Sequence, residues 1–389
     1  VYHANIIAQK YMLRQLISYT SNIQGKAFDE TQDADELMQE AEGKLFQLSQ
    51  QNTKKEYTQI DPVIDEAYNV LRKAAARNDG LSGIASGFTE LDKITSGWQN
   101  SDLVILAARP AMGKTAFALS MAKNIAVDSK TPVAFFSLEM SNVQLVNRLI
   151  INVCEIPGEK LKSGQLAPYE WVQLDQSIKK LYGAPLYIDD TPSLSIFELR
   201  TKARRLVREH QVGLIMIDYL QLMNASGMNF GSRQEEVSNI SRALKQLAKE
   251  LNIPILALSQ LNRGVETRQG NEGKRPQLSD LRESGAIEQD ADIVCFIHRP
   301  EYYHIYEDNG KDMHGMAEII IAKHRNGAVG DVVLRFKAQF ARFQNPDDDI
   351  ISSSSDSSAY SPVTGNETAP QFPGAVNVPP PTAEDDPFA

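Results

Sequence analysis

Apolar residues recur at helical steps over the first fifty positions and give way, beyond residue 81, to short unbroken apolar runs. Ile6, Leu13, Leu16 and Ile17 can share one helix face, and Leu37, Ala41, Leu45 and Leu48 repeat at three- and four-residue steps. Residues 18–32 between them are polar and contain Gly25, so the pattern predicts a helical hairpin broken there. Two helices make a thin core, so this piece needs a further partner, such as a preceding portion or another subunit. After a polar stretch at 50–59, Asp61-Pro62 predicts a new helix, with Asp as N-cap and Pro in the first turn. Its stripe is Ile64, Ala67, Tyr68 and Leu71, and Asn78-Asp79-Gly80 ends it.

The runs at 103–107, 133–137, 186–188, 214–217, 254–258 and 293–297 are nearly continuous in apolar residues and alternate with helical patterns. Such runs are expected of a parallel sheet covered on both faces by helices, an α/β fold. Residues 318–322 and 332–336 predict a final β-hairpin. After Asn345 the chain turns to Ser, Asp and Pro, the composition of a disordered acidic tail. The expected organisation is a helical hairpin at 1–55, a linker with a helix at 56–80, an α/β domain at 81–345 and the tail at 346–389. No internal repeat is visible.

The net charge of −10 looks wrong for a nucleic-acid binder until it is divided along the chain. The tail holds eight carboxylates and no Lys or Arg, which leaves the rest near −2 and compatible with a local basic groove. No run approaches the roughly 18 apolar residues of a membrane helix. No signal peptide is visible, and the missing initiator Met suggests a fragment or a processed product. Cys154 and Cys295 stand far apart, against a disulfide scaffold or a zinc site, and a reducing cytoplasm is the simplest home. The histidines show no metal-ligand spacing.

The strongest chemical signal is ARPAMGKT at 108–115, which follows the strand at 103–107 and opens a helix. This is a P-loop arrangement, in which backbone N–H groups at a helix N-terminus wrap a triphosphate. Lys114 would reach the β- and γ-phosphates and the Thr115 hydroxyl would ligate Mg²⁺, with Ala111, Met112, Gly113 and Ala116 lining the ATP cradle. Ala108 stands where the pattern usually has its first Gly. Asp218 ends the strand at 214–217, where an α/β sheet places its ligands, and is expected to serve the magnesium. Glu139, just past the strand at 133–137, can activate a water; a solvated loop glutamate has the same local pattern. Gln260 after 254–258 can bond the γ-phosphate or its water, or merely cap the strand.

These segments, with FFSLEM (135–140), LIMIDYLQLM (214–223), LALSQLNR (256–263), SDLRESGAIEQDAD (279–292) and KHRNG (323–327), resemble the replicative DNA helicases of the bacterial DnaB family. The resemblance runs from about Ala4 to Phe343. It implies a RecA-like P-loop motor with a mostly parallel central sheet, preceded by a helical hairpin and a linker helix that packs on the adjacent motor. It further implies an ATP-dependent helicase acting as a homo-hexamer on single-stranded DNA, travelling 5′ to 3′, with primase and a helicase loader as partners and no membrane. By that match Glu139 polarises the lytic water and Gln260 senses the γ-phosphate. Arg282, Glu283 and Gly285 touch the DNA backbone in the channel, and Lys323 and Arg325 reach the neighbour's γ-phosphate, Arg325 as the finger. Family members carry a globular helical domain ahead of residues 1–50, and only its end stands here.

Some features lie outside the resemblance. Tyr302, Tyr303 and Tyr306 could stack bases or cover a sheet edge, and the second fits better. The tip at 384–388 resembles the acidic–aromatic end of bacterial single-stranded-DNA-binding proteins, a string short enough to arise by chance. A recombinase or regulatory ATPase, and an ATP-gated scaffold without turnover, are the competing classes. The loop at 279–292 and the Lys323/Arg325 pair favour the helicase.

Overall fold

In a computed structural model of the chain, the described residues are 2–29, 33–51, 59–75, 80–224, 231–262, 264–268, 270, 272–308 and 310–348. The acidic tail beyond 348 lies outside them. Three N-terminal helices, α1 (Tyr2–Ala27), α2 (Ala34–Gln51) and α3 (Ile60–Ala75), precede the sheet. Further helices follow: α4 (Thr89–Thr95), α5 (Lys114–Lys123), α6 (Asn142–Cys154), α7 (Gly158–Ser163), α8 (Pro168–Leu181), α9 (Ile196–His210), α10 (Arg233–Leu251), α11 (Gly264–Thr267) and α12 (Gly285–Asp290). The strands are β1 (Leu103–Ala108), β2 (Val133–Ser137), β3 (Leu186–Asp189), β4 (Leu214–Asp218), β5 (Ile255–Gln260) and β6 (Ile293–His298). After these come the short β7 (Glu307–Asp308) and β8 (Lys311–Asp312), then β9 (Met316–His324), β10 (Gly330–Lys337) and β11 (Arg342–Gln344).

Nine strands form one sheet in the order β11-β10-β9-β6-β1-β5-β4-β2-β3. β6, β1, β5, β4, β2 and β3 run parallel, and β9, β10 and β11 add an antiparallel edge. Successive residues of β1 go to opposite cores. Val104, Leu106 and Ala108 join Phe117 and Met121 on one face, and Leu103, Ile105 and Ala107 join Leu199 and Leu244 on the other. Burial on both faces is the reason these strands read as unbroken apolar runs. Polar caps set the helix starts: Ser141 and Gln144 form a capping box on α6, and the Ser195 and Ser232 hydroxyls accept from Glu198 N and Glu235 N.

The N-terminal elements depart from expectation in two places. α1 continues through Ser18 to Ala27, across the expected break. The Thr20 hydroxyl turns back on its own helix, donating to Leu16 O and Ile17 O, so this polar residue does not interrupt it. α1 and α2 are tied by the Tyr19 hydroxyl on Glu40 O and by a Lys26–Glu40 ion pair at 2.6 Å. α3 starts at Ile60, so Asp61 stands in the first turn and not at the N-cap. Its stripe, Ile64, Tyr68 and Leu71 with Ile60 and Val63, is exposed. Tyr303 packs on the core as expected of an edge cover, whereas Tyr302 and Tyr306 stay exposed. Among the described residues no helix is long and apolar enough to cross a membrane. Cys154 and Cys295 are free and buried.

Candidate functional site

The C-terminal ends of β1, β5, β4 and β2 lie side by side, and the chemistry-bearing residues stand on them. After β1 the chain turns through Ala111 at φ 66° and Gly113 at φ 94°, then enters α5 at Lys114. No side chain caps α5, so its first N–H groups are left for an anion. A Cβ on Gly113 would stand 3.2 Å from the Phe343 ring, in a conformation that L side chains rarely adopt. Ala108 is the last residue of β1, buried and absent from the positive-φ positions, so a methyl group fits where the usual pattern has Gly. Two arginines that sequence reasoning missed brace the loop. Arg109, buried, donates to Leu261 O at 2.9 Å, and Arg299 lies over the Phe336 ring and donates to Ala111 O at 3.3 Å.

The Thr115 hydroxyl donates to Asp218 Oδ2 at 2.7 Å. Asp218 is fully buried, and its Oδ1 has no hydrogen-bond partner. Burial pushes its carboxyl above the usual carboxylate range, against the pull of Lys114 and Thr115, with Glu139 adding to the rise. Lys114 is half-buried and lies 4.3 Å from the Tyr219 ring centroid. Burial lowers its pKa, and Asp218 and Glu139 oppose the fall. Among the described residues no group of His, Cys, Asp and Glu forms a protein metal cage. A hydroxyl beside an orphaned carboxylate oxygen fits Mg²⁺, which keeps waters and takes one or two protein oxygens plus substrate phosphates.

Glu139 is set by the β2–β4 pairing. Ser137 aligns with Asp218, Leu138 N donates to Asp218 O at 2.7 Å, and the Ser137 hydroxyl closes the turn on Met140 O and N. The glutamate stands exposed at the tip of that turn, near enough to act electrostatically on Lys114, Asp218 and Tyr219. Gln260 aligns with Ala108 and is also exposed. Lys114, Thr115, Asp218, Glu139 and Gln260 therefore surround the P-loop.

The other expected residues lie elsewhere. Leu278–Ser284 is a 3₁₀ turn leading into α12, rooted by buried Asp280, which accepts from Gln277 N and pairs with Arg268. The side chains of Arg282 and Glu283, and the surroundings of Gly285, are outside the described set. Lys323 and Arg325 are at the opposite end of the sheet from the P-loop: Val104 aligns with Ile293, and Ile293 with His324. The P-loop follows Ala108, four residues along β1, so about 13 Å of strand separates them. Both side chains reach one side, as alternation implies, and there they meet α12. Lys323 Nζ donates to Glu288 O at 2.5 Å and Ala291 O at 2.8 Å, and Arg325 donates to Gln289 O and lies 3.5 Å from Asp292.

The DnaB-like helicase C terminal domain family matches residues 83–345. The chain is 45% identical to the replicative DNA helicase DnaB of Geobacillus stearothermophilus, over 88% of this chain and 74% of the relative. It is 44% identical to the replicative DNA helicase DnaC of Bacillus subtilis (strain 168), with the same coverage. Among solved structures, an isolated ATPase domain superposes with a TM-score of 0.67 at 39% identity, covering 75% of this chain and 99% of that one. A DnaB-like replicative helicase, described together with its interactions with primase, gives a TM-score of 0.68 at 36% identity, covering 88% and 78%. The RecA-like sheet, the P-loop at its strand ends and these identities converge: the chain belongs to the DnaB-like family of replicative DNA helicases.

Proposed function

We propose that the chain is an ATP-dependent replicative helicase whose active site is completed between two copies of itself. Lys114 and the open N-terminus of α5 bind the ATP phosphates, and Thr115 and Asp218 hold the Mg²⁺, which neutralises charge on the phosphates when bound. Glu139 orients and polarises the attacking water, and Gln260 reports the γ-phosphate. Arg325 of one protomer, with Lys323 beside it, enters the site of the next and stabilises charge in the transition state. The supporting observation is the separation of the two halves. The cation pair sits about 13 Å of strand away from its own P-loop, so an Arg325 that serves a phosphate serves a neighbour's.

The finer reading is a homo-hexamer encircling single-stranded DNA in the cytoplasm, moving 5′ to 3′. Arg282, Glu283 and Gly285 track the backbone, and primase and a loader are partners. The exposed stripe of α3 supports assembly, since its apolar face needs a partner surface. The domain scheme proposed is a hairpin at 1–55, a linker at 56–80, a motor at 81–345 and a tail at 346–389.

Mixing tests the shared site. Lys114→Ala and Arg325→Ala proteins should each be inactive alone. Mixed, they should regain ATP hydrolysis, because some boundaries pair an intact P-loop with an intact finger. Mixed particles of demonstrated composition with no turnover would overturn the reading. Strand displacement on a forked duplex separates a helicase from a non-unwinding ATPase.

A further inference from the structure

The β4–β5 ladder stops at Ile217–Ala257, yet β5 runs three residues further, paired on its other side with β1 up to Ala108–Gln260. The side thus vacated is filled by Gln221, half-buried in the turn after β4. Its Nε2 donates to Ser259 Oγ at 2.9 Å and to Gln260 O at 3.3 Å, and its Oε1 accepts from Gln260 N at 3.3 Å. One primary amide thereby reproduces the N–H and C=O pairing of a missing strand neighbour. On its other flank the Gln221 carbonyl accepts from Arg233 Nη2 at 2.7 Å, and Met223 O accepts from the same nitrogen at 3.0 Å. Arg233 is the first residue of α10, so it ties the turn after β4 to that helix. Two residues past Gln260, Asn262 N donates to Asp280 O, at the root of the turn that carries Arg282. A cavity of about 310 Å³ lies among Gln221, Arg233, Gln260 and Asp280, which leaves these elements room to move against one another.

We propose that Gln221 is a positioning residue that ties the phosphate-side glutamine to the DNA-side segments. Gln260 is held from one flank by the P-loop, where Leu261 N donates to Ala108 O and Arg109 donates to Leu261 O, and from the other by Gln221. A shift of Gln260 on γ-phosphate loss is passed through Gln221 to Arg233 and α10, and through Asn262 to Asp280. This rests on the reading of Gln260 as the γ-phosphate sensor in a DNA-dependent motor.

The test is steady-state ATP hydrolysis by the whole protein with and without oligo(dT), for wild type, Gln221→Ala and Gln221→Glu. With two amide hydrogen bonds lost, Gln221→Ala should lower the DNA stimulation ratio about tenfold. KM for ATP should stay within about twofold, because the P-loop contacts are untouched. Gln221→Glu keeps the acceptor for Gln260 N and loses both donors, and should fall between. Melting curves confirm that the variants are folded. An unchanged stimulation ratio in Gln221→Ala, whether kcat falls equally in both conditions or only KM rises, overturns the inference while leaving the helicase reading intact. A wild type whose turnover ignores DNA overturns both.

Discussion

Asp218→Asn separates what the carboxylate does for the fold from what it does for the reaction. Asp218 is fully buried, one oxygen accepts from Thr115 at 2.7 Å and the other has no partner. Leaving a buried acceptor unpaired costs about 1–3 kcal/mol, and more when it is charged. Lys114 offsets only part of this, since burial still holds the carboxyl above its usual range. The sign follows. A raised folded-state pKa means the folded protein holds the proton more tightly than the unfolded chain. The group's stabilising contribution is therefore greatest at low pH and is lost as pH rises through the folded value. At pH 7.5 the wild type bears the full penalty. Asn has the same shape, keeps an oxygen for Thr115 and carries no charge. The nucleotide-free variant should gain about 1–2 kcal/mol at pH 7.5, after allowing for a weaker bond to Thr115 and a lost partner for Lys114. For a domain of this size that is about 2–4 °C in Tm, shrinking as pH falls toward 5. Hydrolysis should drop at least about 100-fold, and the thermal shift on adding ADP should lose its dependence on Mg²⁺. Melting curves at pH 5.5 and 7.5, with and without Mg²⁺ and ADP, provide the check. A nucleotide-free variant less stable than wild type, or one with an undiminished Mg²⁺-dependent shift, would refute the reasoning.

Two further outcomes are expected. Gly113→Ala combines φ 94° with a Cβ pressed against Phe343, so it should destabilise by about 1–3 kcal/mol and abolish binding of a fluorescent nucleotide. Asp102 is pushed up to about 6 by burial, with Asp292 adding and Lys245, His324 and Arg325 opposing. The penalty for ionising it grows from about pH 4 to pH 6 and is constant above. The Tm gain of Asp102→Asn over wild type should rise over that interval and then level off, and a gain independent of pH would contradict the assignment.

The strands could be read from the sequence because each is buried on both faces, leaving no polar position to blur the run. Lys114, Thr115, Asp218, Glu139 and Gln260 were readable for a related reason: each follows an apolar run, and parallel strands deliver their C-terminal ends to one edge. The far end of α1 was not readable, because Gly25 and polar residues mark a break in composition but not in the backbone, which continues to Ala27. Gln221 lay inside a motif already singled out, yet nothing local distinguishes it. Its task exists only because β4 and β5 part company after Ile217 and Ala257. The carbonyls met by Lys323 and Arg325 depend on the antiparallel register of β6 and β9, including its irregularity at Val294/Cys295.

That register gives the sheet a polarity with consequences for assembly. One end carries the phosphate cradle, with its orphaned carboxylate and uncapped helix; the other carries two cations bonded to the end of α12. On the proposed reading, a neighbour's phosphate must displace those carbonyls from Arg325, and α12 begins where the proposed DNA loop ends. Contact between unlike ends is head-to-tail, which closes into a ring only if the rotation per subunit divides a full turn and otherwise gives a helical array. The exposed stripe of α3 lies outside the sheet, on a separate element joined to it by a linker. Assembly and chemistry can then use different surfaces: α3 keeps neighbours attached while the boundary between cradle and cation opens and closes with each nucleotide. A chain with only the catalytic boundary would risk losing its neighbour whenever ADP left.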